Sequence, residues 1–249
     1  MFKALKARLI QGYRTGKFPK TDPTLPEHFL GRPVISPDAT AADAVAASAV
    51  CPVDAILTID DKPAIDTGKC IFCGKCAEVC PRITFSRQHR LAAFTREALI
   101  VTCNSPSLPE GSPDPEFKKL CGKSFKIRQV SAGGCAACEL DFNVLNTLVW
   151  DLGRFGIQVV ASPRHADAVF VTGPITDNMK LALQKTHAAM AKPSWVIACG
   201  ACAISGGIYA KSPTTSTGLE TVLKPDLYIP GCPPHPATIL DALLRFMGQ

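Results

Sequence analysis

Four cysteines in one short segment have the spacing of a metal-binding loop. The stretch CIFCGKCAEVCP carries them in the order C-x₂-C-x₂-C-x₃-C-P: Cys70, Cys73, Cys76 and Cys80. Three thiolates at this spacing can wrap one 4Fe-4S cube, and in a protein with two clusters the fourth thiolate reaches the other cube. The segment therefore predicts iron-sulfur electron-transfer chemistry, and a zinc knuckle is the weaker alternative.

A second Cys-Pro pair ends the upstream stretch ATAADAVAASAVCP. The positions where a cysteine run would place its other thiols hold alanine: Ala41, Ala44 and Ala47. If the region has the two-fold arrangement of a two-cluster protein, one cluster remains, and its ligands are Cys51, Cys70, Cys73 and Cys76. Cys80 is then a buried spectator. The alternative is that Cys80 is the fourth ligand and Cys51 is structural.

Five further cysteines lie in the glycine-rich stretches SAGGCAACELD, IACGACAISGG and IPGCPP. Four of them are predicted to hold a second 4Fe-4S cluster: Cys135, Cys138, Cys202 and Cys232. Cys199 lies within a predicted strand, so we interpret it as a close neighbour, and Glu139 is a further, weaker candidate. A zinc site that uses Cys199 in place of Cys232 is the alternative, but it leaves Cys232 without a role.

The elements that must position the second group alternate between strands and helices. Strands are predicted at 125–130, 157–161, 168–172, 195–199 and 226–229, and helices at 139–153, 177–191 and 236–247. This order predicts an α/β domain with a doubly wound, flavodoxin-like parallel sheet and helices on both faces. Because ligands bind beyond the carboxyl ends of strands in such sheets, the cysteine loops should meet at one edge.

The chain therefore divides into unlike parts. We expect a basic helix and proline-rich arm over 1–38, an α+β ferredoxin-like domain over 39–102, a linker over 103–123 and the doubly wound domain over 124–249. Cys103 and Cys121 fall at the two ends of the linker, and we interpret them as free structural thiols. A metal site that another protein completes is the alternative.

The positive charge is concentrated at the N-terminus. Residues 1–20 hold six basic side chains and no acidic one, whereas the rest of the chain has 21 basic and 21 acidic side chains. A neutral body argues against nucleic-acid binding, and no apolar run approaches the ~20 residues of a membrane-spanning helix. FKALKARLIQGY predicts a short basic amphipathic helix that docks on a partner or an anionic membrane, or packs on its own domain.

Twelve cysteines without an export signal predict a cytoplasmic location.

Longer stretches resemble a known family. GGCAACELD, RFGIQVVASPRHADAVFVTG, GACAISGGIY and DLYIPGCPP look like the small subunit of group 4, membrane-associated nickel-iron hydrogenases of the formate hydrogenlyase type. That subunit is related to the proximal-cluster subunit of respiratory complex I. Residues 1 to about 100, with MFKALK, FLGRPV and CIFCGKCAEVCP, look like the separate ferredoxin-type subunit of the same complexes. The chain thus resembles a fusion of two electron-transfer subunits.

The resemblance implies that the second cluster is the proximal 4Fe-4S cluster, which faces a separate large subunit with a nickel-iron centre. The C-x-x-C at 135 and 138 favours the hydrogenase branch, because complex I proteins have two adjacent cysteines there. The expected partners are the large subunit and other iron-sulfur and membrane subunits, at the inner face of the cell membrane. No bond-breaking site is expected within this chain. A complex I-like subunit without hydrogenase activity and a structural zinc module remain alternatives.

Overall fold

The computed structural model describes residues 2–109 and 111–249. Its helices are α1 (Phe2–Gln11), α2 (Ala41–Val50), α3 (Lys75–Val79), α4 (Pro115–Cys121), α5 (Ala137–Val144), α6 (Asp177–Ala188), α7 (Ala201–Ser205) and α8 (Pro236–Met247). Its strands are β1 (Pro33–Ile35), β2 (Ile56–Ile59), β3 (Lys62–Asp66), β4 (Ile83–Phe85), β5 (Ile100–Val101), β6 (Phe125–Ser131), β7 (Ile157–Val159), β8 (Ala168–Thr172), β9 (Trp195–Cys199) and β10 (Leu227–Ile229).

The N-terminal region has the predicted α+β character. Its β1 and β4 form one antiparallel pair, and β2, β3 and β5 form a three-stranded antiparallel sheet. A capping box starts α2, since Thr40 accepts from the Asp43 amide and Asp43 accepts from the Thr40 amide. Ala44 and Ala47 on this helix are buried. These two alanines therefore face the interior of the N-terminal region.

The C-terminal region contains one parallel sheet with the order β10-β9-β8-β6-β7. Counted from β6, this is the 2-1-3-4-5 order of flavodoxin-like folds, so the predicted fold class is confirmed. Every residue of β8 and β9 is buried. Burial on both faces explains why these strands appear in the sequence as continuous apolar runs.

Helices cover both faces of the parallel sheet. On one face α4, α5 and α8 pack on the strands, and the Phe142 ring of α5 stacks on Phe170 of β8 at 4.3 Å. On the other face Leu183 of α6 and Ile204 of α7 pack against Val169 and Val196. The apolar side chains of each strand therefore supply two cores, as a doubly wound sheet requires.

The two regions share a core. Ala93 forms an antiparallel bridge with Tyr228 at the edge of the parallel sheet, and Phe18 of the N-terminal arm is buried in the core that contains α8. The segment expected to be a linker contains α4, whose Phe117 stacks on Phe246 at 3.8 Å. These contacts fix the cysteine-bearing regions relative to each other.

Some predicted boundaries are wrong. The helix expected over 139–153 ends at Val144, because the chain turns and the Leu152 amide donates to the Leu145 carbonyl at 2.9 Å. Cys202, expected in a loop, lies in α7. The strand expected to reach residue 161 ends at Val159. Within the described ranges, no helix combines the length and apolar character needed to cross a bilayer.

Candidate metal centres

The N-terminal thiols gather around one small cavity. Its wall contains the four cysteines predicted as ligands: Cys51, Cys70, Cys73 and Cys76. The apolar side chains of Val53, Ile56 and Phe85 also line this wall, as does Lys75, but Cys80 does not. Cys51 reaches the cavity from the end of α2, and the others come from the loop into α3. Thiols that are distant in sequence thus meet at one cavity.

Backbone amides point at the sulfurs of this first site. The Phe72 amide donates to Cys70 Sγ at 3.3 Å, and the Ala55 amide donates to Cys51 Sγ at 3.2 Å. Phe72 and Gly74 both have positive φ, 54° and 77°, which curls the loop tightly. N–H donors stabilise negative charge on sulfur and raise the reduction potential of a cluster held there.

Burial makes these thiols weak acids in the metal-free chain. Desolvation raises the pKa of Cys70 to about 12 and that of Cys76 to about 11, and the neighbouring thiols at the cavity add to both shifts. Since metal ligation needs thiolates, cluster insertion must release these protons. The donor set, four thiols with amides at their sulfurs, fits a 4Fe-4S cluster.

Cys80 has a different environment. Its side chain is buried, at 1% exposure, and its Sγ donates to Asp43 Oδ1 at 3.5 Å. The same carboxylate oxygen pairs with Arg82 Nη1 at 3.3 Å. Asp43 and the buried alanines of α2 thus occupy the surroundings of this thiol, and this packing suits a spectator better than a ligand.

An ion pair that the sequence did not reveal supports the first cysteine loop. Arg96 donates from both terminal nitrogens to the Asp66 carboxylate, at 2.8 and 2.5 Å. The same carboxylate accepts from the Gly68 amide at 3.0 Å, and the Asp66 carbonyl accepts from the Cys70 amide at 2.9 Å. Asp66 therefore sets the course of the chain into Cys70.

We expect Arg96→Ala to destabilise the fold by about 3–5 kcal/mol, because it leaves the buried Asp66 carboxylate unpaired. Only 5% of the Asp66 side chain is exposed. Chemical denaturation followed by circular dichroism measures the loss. Lys211→Ala is the matched control, since it breaks an ion pair with Asp54 in which both side chains are mostly exposed, and little change is expected. Equal effects of the two substitutions would contradict this role for Asp66.

The second group of thiols lies at the carboxyl edge of the parallel sheet. Cys135 and Cys138 follow β6, Cys202 follows β9 on α7, and Cys232 follows β10. Burial raises the pKa of Cys202 to about 12, and the thiols of Cys232, Cys138 and Cys135 contribute to that rise. The four predicted ligands are therefore close neighbours, with Cys135 and Cys232 exposed at the surface.

Glycines bring the backbone close to these sulfurs. A Cβ on Gly200 would lie 2.6 Å from Cys138 Sγ, and one on Gly207 would lie 2.9 Å from Cys202 Sγ. Gly200 also has φ +90°, which L side chains rarely adopt. The site is thus a cradle that a side chain at either position would fill, and its four thiols fit a second 4Fe-4S cluster.

Cys199 is next to the second site, where it contacts Cys138, but it is not one of the four predicted ligands. It is fully buried in β9, and its pKa is raised by burial and then by a hydrogen bond with Cys138. Across residues 2–109 and 111–249, no three His, Cys, Asp or Glu side chains are grouped so as to hold a single metal ion.

Glu139, at the start of α5, accepts a hydrogen bond from Thr172 Oγ1 at 2.7 Å, so its carboxylate is held beside the end of β8.

The chain segments that carry the two sites contact each other. Ile71 and Phe72 of the first cysteine loop line the same cleft as Cys232 and Pro233. Beside it, the Ser205 hydroxyl hydrogen-bonds the Gly68 carbonyl at 3.1 Å. Ser205 is in the helix that carries Cys202, and Gly68 is two residues before Cys70. No sequence pattern predicts this contact, because its partners are 137 residues apart.

The remaining two cysteines do not line the cavity of the first site. Cys121 is buried in the core of the C-terminal domain, and Cys103 is partly buried beside the N-terminal core. Both positions suit the structural role predicted for them. His235 caps α8, where its Nδ1 accepts from the Ala237 amide at 3.1 Å.

Comparison with known proteins matches each cysteine-bearing region separately. A family described as NADH ubiquinone oxidoreductase, 20 Kd subunit, matches residues 135–246, and a 4Fe-4S binding domain matches residues 63–82. The first match spans all five cysteines of the parallel-sheet domain, and the second contains the C-x₂-C-x₂-C-x₃-C run.

Relatives align with about half of the chain. A probable membrane-bound hydrogenase subunit of Pyrococcus furiosus is 36% identical over 51% of this chain and 75% of its own length. A subunit of the NADH-quinone oxidoreductase of Aliarcobacter butzleri is 40% identical over 51% of this chain and 74% of its own length. A subunit of the NAD(P)H-quinone oxidoreductase of a Picosynechococcus species is 42% identical over 45% of this chain, but the match covers 46% of that protein. Among solved structures, the membrane-bound sulfane sulfur reductase, an archaeal respiratory membrane complex, has a chain with 32% identity and a TM-score of 0.47, matched over 54% of this chain and 75% of that one.

Proposed function

The chain belongs to the family of the NADH ubiquinone oxidoreductase 20 kDa subunit, and from this premise we propose that it is the electron-transfer subunit of a membrane-associated nickel-iron hydrogenase. The observation that carries the proposal is the presence, in one chain, of two four-thiol sites whose loops share a cleft, which is lined by Ile71 and Phe72 of the first and Cys232 of the second. A subunit of an oxidoreductase complex with two adjoining redox sites can relay electrons without breaking bonds itself.

Each residue set has a defined task in this proposal. Cys51, Cys70, Cys73 and Cys76 would hold one 4Fe-4S cluster, and Cys135, Cys138, Cys202 and Cys232 would hold the other. Such clusters supply reversible one-electron redox chemistry. The Phe72 and Ala55 amides favour the more negative, reduced state by donating to sulfur, and apolar side chains of the first cavity lower the local polarity.

The contact between the sites supports a relay within the chain. The Ser205 hydroxyl proton is shared between two carbonyl acceptors, that of Gly68 at 3.1 Å and that of Ala201, next to Cys202, at 3.0 Å. This single hydroxyl joins the backbone near Cys70 to the backbone near Cys202. This contact holds the chain just before Cys70 against the helix that carries Cys202, so the two cysteine-bearing segments adjoin.

The exposed side of the second site suits a large subunit. Cys135 and Cys232 are exposed, and Leu140 beside them is 65% exposed. In the proposed complex, the nickel-iron subunit covers this edge and interconverts H₂ with two protons and two electrons. Twelve free cysteines suit a reducing compartment, so we place the chain at the cytoplasmic, inner face of the membrane, beside other iron-sulfur and membrane subunits.

The second candidate function is the equivalent subunit of a quinone-linked or other oxidoreductase without hydrogenase activity. It is favoured by the relatives named as quinone oxidoreductase subunits, whose identities of 40% and 42% exceed that of the hydrogenase relative. The C-x-x-C at 135 and 138 favours the hydrogenase instead. The nickel content of the assembled complex separates the two functions.

Anaerobic purification of the chain with its partner subunits tests the proposal. We expect about eight iron and eight acid-labile sulfide atoms per chain from its own two clusters, determined on this chain separated from the complex. The intact complex should contain nickel and reduce a dye with H₂.

A complex without nickel but with both clusters would refute the hydrogenase assignment and leave the electron-transfer role standing. Zinc in place of iron, without visible charge-transfer absorption, would refute both.

A further inference from the structure

The first helix has an apolar stripe that no other described part of the chain covers. None of the ten residues of α1 is buried. Phe2, Leu5 and Leu9 are 83%, 53% and 85% exposed. Their spacing of three and four residues puts them on one side of the helix. Large apolar side chains grouped in this way mark an interaction surface.

Basic side chains border this stripe on both sides. At 100° per residue, Lys6 lies on one flank and Arg8 on the other, with Lys3 further round the first flank. Residues 2–20 contain no Asp or Glu to neutralise these charges. Because the rest of the chain balances, its excess positive charge is located here.

The helix is attached to a fixed point on the body. The Gly16 amide donates to the Val149 carbonyl at 2.7 Å, and Arg154 donates to the Gly16 and Phe18 carbonyls at 2.8 and 2.7 Å. Leu148, next to this anchor, is 76% exposed. A further exposed apolar side chain therefore lies at the point where the segment after α1 joins the C-terminal domain.

Aromatic and cationic groups also meet at the end of the helix. Tyr13 is 82% exposed, and the Arg8 guanidinium lies over its ring at 3.1 Å from the centroid. A tyrosine ring with an adjacent cation suits the boundary between lipid headgroups and acyl chains.

We propose that α1 docks this chain on an anionic lipid bilayer. The helix lies in the plane of the membrane, with Phe2, Leu5 and Leu9 entering the headgroup region and Lys3, Lys6 and Arg8 contacting lipid phosphates. With ten residues, α1 is about 15 Å long and cannot span a ~30 Å hydrocarbon core. The inference deepens the proposed membrane association and rests on it, but it does not depend on the clusters.

Charge complementarity favours lipid over a protein partner as the occupant. Cations on both flanks of a narrow apolar stripe match a surface that is anionic in every direction around the helix. A helix bound in a protein groove needs an apolar face for the groove and tolerates any charge on its exposed side.

Vesicle flotation of the full, cluster-loaded chain tests the docking. We expect binding to vesicles of phosphatidylglycerol, little binding to phosphatidylcholine, and weakening with added salt. Lys3→Gln with Lys6→Gln should lower the affinity for phosphatidylglycerol about 25-fold, at roughly fivefold for each charge near the surface. Leu5→Glu with Leu9→Glu should abolish binding.

Matched control variants show whether binding depends on the side chains of α1 or only on the net charge and polarity of the whole chain. Lys185→Gln with Lys224→Gln removes the same charge from exposed positions elsewhere. Val45→Glu with Leu181→Glu adds two acids at other exposed apolar positions on helices, 70% exposed in α2 and 58% exposed in α6. Both should bind like the unmodified chain.

The proposal is overturned if the unmodified chain does not float with phosphatidylglycerol vesicles, or if the α1 variants bind as well as it does. Loss of assembly with partner subunits in those variants, without any vesicle binding, would assign the surface to a protein partner instead. Iron content and co-purification report on the proposed function separately.

Discussion

Cys51→Ala is expected to remove one cluster and lower the iron content from about eight to about four atoms per chain, whereas Cys80→Ala should leave it unchanged. The reason is the position of the two thiols. Cys51 lines the cavity with Cys70, Cys73 and Cys76. Cys80 does not line it and hydrogen-bonds Asp43.

Iron and sulfide determination on each anaerobically purified variant measures the effect, and the electron paramagnetic resonance spectrum shows which cluster is lost. The signal of the second site should persist in Cys51→Ala, because that site is built from other elements. The opposite pattern, loss in Cys80→Ala and retention in Cys51→Ala, would assign the fourth ligand to the consecutive cysteine run.

The outcome also bears on the three alanines upstream of Cys51. Ala44 and Ala47 are buried in α2, so a cysteine at either position would place a thiol in a packed core. We expect the first domain to hold one cluster, because the Cys80 thiol is bonded to Asp43, which also pairs with Arg82.

Much of the parallel sheet could be predicted because its central strands are buried on both faces. The runs at 168–172 and 195–199 coincide with β8 and β9. Cysteines that follow strands of one parallel sheet must emerge at one edge, so the grouping of the second set of thiols was also accessible from the sequence.

The ends of helices and the contacts that support the cysteine loop could not be predicted from the sequence, because they depend on the tertiary structure. Nothing in the sequence after Val144 marks the end of α5. The turn that follows is closed by the backbone hydrogen bond from the Leu152 amide to the Leu145 carbonyl. The Asp66–Arg96 pair joins residues 30 positions apart. An Asp just before a Gly and a cysteine loop is a local turn signal, but the partner of its carboxylate cannot be identified from the sequence.

Gly200→Ala is expected to eliminate the second cluster and leave the first intact. The new Cβ would lie 2.6 Å from Cys138 Sγ, and the backbone at φ +90° would be strained by any side chain. Relief requires Cys138 or the turn between β9 and α7 to move, and α7 carries Cys202. Two predicted ligands are thus displaced by one methyl group. Iron should fall from about eight to about four atoms per chain.

Gly153→Ala is the matched control, because a Cβ there meets no atom within 4 Å and φ is not in the left-handed range. It should keep both clusters. General unfolding of Gly200→Ala would remove the first cluster as well, so a retained signal from the first site shows that the defect is local. If Gly200→Ala keeps both clusters with unchanged spectra, the thiol of Cys138 lies elsewhere in the folded, loaded protein. The cradle formed by Gly200 would then have no part in holding iron.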